Sequence, residues 1–395
     1  MAQNAFVTDS RDFSMVLGGP LYQLMLRLRV IRPPLQLLGR RIVVISLIAW
    51  LPLCILALVS GRAWSGVKVP FLFDVDNHTR FLVSLPLLIL AEWMVHSRFR
   101  PIIGQFYERD IVLGDQRERF DAIIESSMRL RNSIVAEVIL IVIVITLGPI
   151  SWKNQAAIHA STWYADVVDG GLKLTAAGVY YRFVALPVFQ FILLRWYFRL
   201  LIWCRFLWKV SRLKLNLMPT HPDCAGGLGF LTGTAHALTP LLVAQSALLA
   251  GLIANRIFYE QATLASFKIE IIAIVAFLLV QALGPLVVFA PALMACQRLG
   301  NREYGVLASR YALDFHQKWI ERKGVSDEQL LGSADIQSLA DLANSFDVIR
   351  SMSAVPFTKT TVLRLAVITL LPLLPLTLTV IPFDELVDRL IKAIL

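Results

Sequence analysis

Nineteen consecutive residues, Ile42 to Ser60, carry no charge, and that run decides most of what this chain can become. A helix rises 1.5 Å per residue, so about 20 apolar residues cross the ~30 Å hydrocarbon core of a bilayer. No water reaches the backbone there, which leaves helices and closed barrels as the spanning structures. Comparable apolar stretches recur at 81–96, 133–150, 176–204, 237–254, 271–296 and 362–381. The expected fold is all-α, a polytopic transmembrane helix bundle of about seven spans with cytoplasmic helical extensions. Every span contains or abuts proline, from Pro52 to Pro372 and Pro375, which predicts kinks that a bundle tolerates.

Composition agrees. Charged residues make up 17% of the 395 and hydrophobic ones 57%, whereas soluble domains carry about a quarter charged. A net charge of +10 invites a nucleic-acid reading, but no recognition motif accompanies it. The positive-inside rule accounts for it better. With the N-terminus inside, 28 of the 38 Lys and Arg fall in the cytoplasmic stretches 1–41, 97–132, 195–236 and 297–364. That orientation puts the C-terminus outside. The organisation read from it is a cytoplasmic amphipathic segment (1–41, helical over about 13–31), six spans (42–296), a cytoplasmic helical segment (297–361), and a last span with a short external helix (362–395). Cys54, Cys204, Cys224 and Cys296 form no CxxC pair and are expected to stay reduced.

Ionisable groups inside spans are costly, so they pair or line a cavity. Glu92 and Glu137 fall at similar depth near the cytoplasmic ends of the second and third spans, and Arg195 and Arg199 at that of the fourth. Glu–Arg pairs between helices are expected, serving either as a clamp or as an ion pathway. Gln190, Gln245 and Gln281 lie near mid-depth in the fourth, fifth and sixth spans, where interhelical hydrogen bonds or a solute path account for them. Continuing the fourth span, Arg195, Arg199, Arg205, Lys209 and Arg212 fall within an arc of about 140° interleaved with tryptophan and phenylalanine. Such a surface suits anionic lipid headgroups.

Two apolar stripes follow the sixth span: Tyr304, Leu307, Tyr311, Phe315 and Trp319, then Ile336, Leu339, Leu342, Phe346 and Ile349. They pack on each other or receive a cytoplasmic protein partner. The loop before the fifth span concentrates His221, Asp223 and Cys224 among glycines, with His236 following. Asp223 is expected to cap the next helix, with Gly229 and Gly233 admitting a neighbouring helix. The sharper alternatives are a metal or catalytic site, whose fourth ligand would have to come from elsewhere, such as Cys296 or His316, and phosphate binding by the glycine amides. The spacing matches no zinc pattern, so neither metal nor cofactor is assigned. GxGxxG, Walker A, HExxH and GxSxG are absent.

The stretches His221-Pro-Asp-Cys-Ala-Gly-Gly-Leu-Gly-Phe230, Gly332-Ser-Ala-Asp-Ile-Gln-Ser-Leu-Ala-Asp-Leu-Ala-Asn-Ser-Phe346 and Leu370-Leu-Pro-Leu-Leu-Pro375 resemble those of bacterial polytopic integral membrane proteins without an assigned activity. The resemblance covers the second half of the chain. It implies a bacterial inner-membrane location and carries no functional residue across. Three functions stay open: a channel or permease for a small solute or ion, a membrane-embedded enzyme at the His-Pro-Asp loop, and a scaffold or sensor. Self-association fits any of them.

Overall fold

The computed structural model describes residues 13–19, 23, 37–155, 161–168, 171–321 and 334–379. Helix α1 (Leu38–Val59) leads through a short loop into α2 (Val75–Glu108). A surface helix α3 (Asp115–Arg131) precedes α4 (Ile134–Gln155). Strands β1 (Ala165–Val168) and β2 (Gly171–Leu174) pair antiparallel, with Ala165 opposite Leu174. Then come α5 (Ala176–Val210), a short α6 (Thr232–Ala237), α7 (Thr239–Glu260), the long α8 (Leu264–Ile320), α9 (Ala334–Arg350) and α10 (Lys359–Thr379). Among the described residues the fold is all-helical as expected, apart from this one short hairpin. Arg62 clips it to the α1–α2 loop by two bonds to Asp166, at 2.7 and 2.8 Å.

Among the described residues, six helices are long and apolar enough to cross a membrane: α1, α2, α5, α7, α8 and α10. The described apolar part of α4, Ile134–Thr146, is shorter. Polarity is distributed as lipid demands. Val43, Leu47, Leu51 and Leu58 of α1, Ile139 and Ile145 of α4, Ile272 and Val280 of α8 and Leu363 of α10 face outward, while arginines and glutamates are buried within. A groove on α1 lined by Leu47, Ile48, Leu51, Pro52, Ile55 and Leu56 is wholly apolar.

Proline shapes the helices locally. Pro86 in α2 and Pro187 in α5 lack an N–H, and their rings crowd the carbonyls of Leu82 and Phe183, four residues back. Each helix widens there into a π turn, over Thr79–Ser84 and Tyr181–Ala185. The two turns lie together, with Phe81 and Tyr181 edge to face at 6.1 Å. In α8 the chain tightens to a 3-10 turn over Gly284–Phe289 around Pro285, and in α10 over Leu371–Thr379.

The two predicted stripes fold back on each other, except that Leu307 and Ile336 stay exposed. Asp335, at the start of α9, accepts from Lys318 and from Trp319 Nε1, each at 2.9 Å, and its carbonyl accepts from Tyr311 Oη at 3.1 Å. Phe13–Gly19 is not the expected interfacial helix. It is a bent, largely buried segment whose Phe13 ring packs against Phe206, tilted by 40° with centroids 5.0 Å apart. Most of the expected helix over 13–31, and the one over 383–395, lie outside the described residues.

Candidate functional site

The sequence places Glu92 on the buried face of α2, with Leu88, Ile89, Ala91, Val95 and Phe99. Residues 195 and 199 are one turn apart on α5 and share a face. Trp196 fixes that face by donating its indole N–H to Leu88 O at 2.9 Å, and Arg199 lies over the Trp196 ring at 5.0 Å. Glu92 Oε1 accepts from Arg199 Nη1 at 2.7 Å, and Arg195 Nη1 stands 3.9 Å from the same oxygen. Glu92 Oε2 accepts from Arg41 Nη2. Arg195 Nη2 lies 3.7 Å from Glu137 Oε1 on α4 and donates to Gly18 O at 3.2 Å.

Five ionisable side chains from four helices therefore meet at one end of the bundle, here called the basic end. All are buried. The Phe13–Gly19 segment covers them: Ser14 Oγ lies 3.0 Å from His96 Nδ1, and Arg131 donates to Ser14 O. Arg41 is the residue that sequence reasoning missed, because it stood in a basic stretch beside Arg40. A signal existed. Residues 41, 49, 53 and 57 recur at multiples of four, and Ala49, Leu53 and Ala57 are the small or buried packing stripe of α1.

Tyr197 Oη donates to Gln245 Oε1 at 2.6 Å, and Gln245 Nε2 donates to Gln281 Oε1 at 3.1 Å. This polar chain links α5, α7 and α8. Gln190 does not join it; its Oε1 is buried without a partner, as is Gln281 Nε2. The basic arc of α5 splits. Arg195 and Arg199 turn inward, while Arg205 and Lys209 reach Ser126 of α3 at 3.1 and 3.5 Å. Arg212 lies over Trp208.

The His-Pro-Asp loop is built around one carboxylate. Asp223 Oδ1 accepts from the N–H groups of Ala225 and Gly227 at 2.9 and 3.1 Å, and Oδ2 from that of Gly229 at 2.8 Å. His221 Nδ1 stands 2.8 Å from Oδ1. Burial opposes ionisation of Asp223, but the three backbone donors and His221 outweigh it and hold its carboxyl below the usual carboxylate range. The expected helix cap is thus a nest instead: the helical turn begins only at Gly229, and α6 at Thr232. Gly229 does not admit a neighbouring helix. A Cβ there would meet Asp223 Oδ2 at 2.9 Å, whereas at Gly233 it would meet Ile102 of α2 at 3.0 Å.

Cys224, held at φ +51°, places Sγ 3.5 Å from Ser351 Oγ, and its carbonyl accepts from Ser353 N at 2.7 Å. The loop therefore stitches the α9–α10 connection to the bundle. His236 is half-buried, and burial together with Arg364 lowers its proton affinity. Among the described residues no three His, Cys, Asp or Glu side chains assemble as a metal site. The chain matches no family model, no curated protein and no solved structure.

Proposed function

We propose that the protein is a permease for a small solute or ion in a bacterial inner membrane. It crosses seven times, α4 supplying the seventh span, with the basic end and the N-terminus cytoplasmic and the C-terminus outside. The observation that carries the reading is the buried Arg41–Glu92–Arg199–Arg195–Glu137 network, because charges at that depth are expensive and mark substrate or ion paths. The Tyr197–Gln245–Gln281 chain adds polar groups farther along the bundle. The breaks in α8 and α10 add the irregular backbone that substrate-binding helices of transporters use. Anionic lipid headgroups are the natural neighbours of the basic end, with Arg212, just past the end of α5 and over Trp208, the residue that suits them.

A second reading, as a scaffold, rests on a specific observation. Val306, Leu307, Leu313, Ile320 and Ile336 of the α8–α9 hairpin are all exposed and apolar, a surface for a cytoplasmic protein partner or another copy of the chain. The test of the first reading is ion flux into proteoliposomes. Protein-dependent flux, abolished by Glu92→Gln, is expected; flux no greater than in empty vesicles across a panel of ions removes it. Reporter fusions after Lys153 and Leu395 check the topology, and a cytoplasmic signal at Leu395 breaks the seven-span count.

A further inference from the structure

Among the described residues, the network at the basic end is not electrically balanced. Arg41, Arg195 and Arg199 face Glu92 and Glu137, three positive charges against two negative, and none of the five is more than 8% exposed. A guanidinium does not release its proton in proteins, so the excess cannot be relieved by titration. A bound water accepts hydrogen bonds but brings no charge.

The donors tell the same story. Arg41 Nε and Nη1 and Arg199 Nη2 are buried without a hydrogen-bond partner. Buried N–H groups are rarely left unmade, and charged ones are the costliest to leave so. Each arginine spends one terminal nitrogen on an oxygen of Glu92, so the unused nitrogens flank that same carboxylate. Three buried guanidinium nitrogens without a partner, two on Arg41 and one on Arg199, in surroundings of positive excess, match the spaced acceptor oxygens of an oxyanion. The field repels cations and leaves neutral solutes without a reason to enter.

We propose that Arg41 and Arg199, backed by Arg195, bind an oxyanion of phosphate or sulfate type, either as a free ion or as the phosphate of an anionic lipid. As the identity of the transported ion this rests on the permease reading; as a binding site it does not.

The experiment uses the purified full chain in detergent, followed by thermal unfolding as inorganic phosphate or sulfate is titrated against chloride at constant ionic strength. A saturable rise of the midpoint in the wild type is expected. Arg199→Gln and Arg41→Gln lose the rise. Glu92→Gln removes a competing carboxylate and keeps every arginine, so its half-saturating phosphate concentration falls at least several-fold. That variant also keeps the test decisive where an arginine variant does not fold. The lipid source is read in parallel, by native mass spectrometry of lipid retained from nanodiscs made with or without phosphatidylglycerol. Retained phosphatidylglycerol that weakens in Arg199→Gln, with no response to free phosphate, supports the site and assigns it to lipid. Absence of any saturable response to phosphate, sulfate or phosphatidylglycerol in both wild type and Glu92→Gln overturns the proposal. Cation flux in proteoliposomes alongside that absence leaves the permease reading standing, and anion binding without flux does the reverse.

Discussion

Asp223 and Glu92 are both carboxylates fully engaged by nitrogen donors, yet they are satisfied in opposite ways. Asp223 takes its three backbone donors from residues two to six positions onward, all neutral. Glu92 takes its donors from side chains 51 and 107 residues away, both charged. The first arrangement closes on itself and leaves nothing over, which is what a structural loop requires. The second gathers more positive charge than it neutralises. The comparison teaches that local completeness marks a fold element here, and non-local imbalance marks a site.

The hardest way to test that contrast is Glu92→Ala. It strands Arg41 and Arg199 in a dry interior and should cost about 3–5 kcal/mol in detergent unfolding. Adding Arg199→Leu to it should recover part of the loss. A negligible cost for the single variant means that water fills the network and the imbalance needs no partner.

On the other side, Asp223→Ala should cost about 2–3 kcal/mol, since three N–H groups lose a charged acceptor. Asp223→Asn should come close to it, because a single amide oxygen cannot serve both sides of the nest. Gly229→Ala forces Cβ against the same carboxylate, so the double variant should cost little more than the worse single. Full additivity would show that the loop is not organised by Asp223.

Gln245→Leu severs both bonds of the Tyr197–Gln245–Gln281 chain and should cost about 1 kcal/mol. Measured unfolding that is unchanged would place water, not protein, as the usual partner of Gln245. The smallest effect is that of pH on the loop. Because the folded carboxyl of Asp223 titrates lower than its unfolded value of about 3.9, its contribution is present above pH ~4. It is lost as pH falls through the folded value. Wild type should therefore lose stability below that pH more steeply than Asp223→Ala, and parallel curves would remove the assignment.

Much of this architecture is legible from residues alone. Charge-free runs locate α1 within a few residues, and helical spacing finds the α8–α9 hairpin because its stripes meet each other. Similar depth brings Glu92 near Arg195 and Arg199, since insertion in lipid fixes height along the axis. Azimuth is not fixed that way. Within the basic stretch, only the four-residue register with Ala49, Leu53 and Ala57 sets Arg41, which points inward, apart from Arg40, which does not. The β hairpin carried a weak signal in Val168-Asp169-Gly170-Gly171, a turn sequence between short apolar runs. Aspartate before a helix usually caps it, and the sequence around Asp223 carries no sign to the contrary beyond its glycines. The left-handed Cys224, Gly226 and Gly227 divert the chain into a nest first.

The bent Phe13–Gly19 segment has a consequence for the order in which the molecule is assembled. Translation delivers α1 and α2 first, so Arg41 and Glu92, 51 residues apart, can neutralise each other as an early pair. Arg199 arrives only with α5, as do Arg195, Trp203 and Phe206, on which the segment seats. Gly18 and Arg195 are 177 residues apart in the chain. The segment therefore completes its seat only once α5 is in place, and closes the basic end over Arg41 and Glu92 already paired.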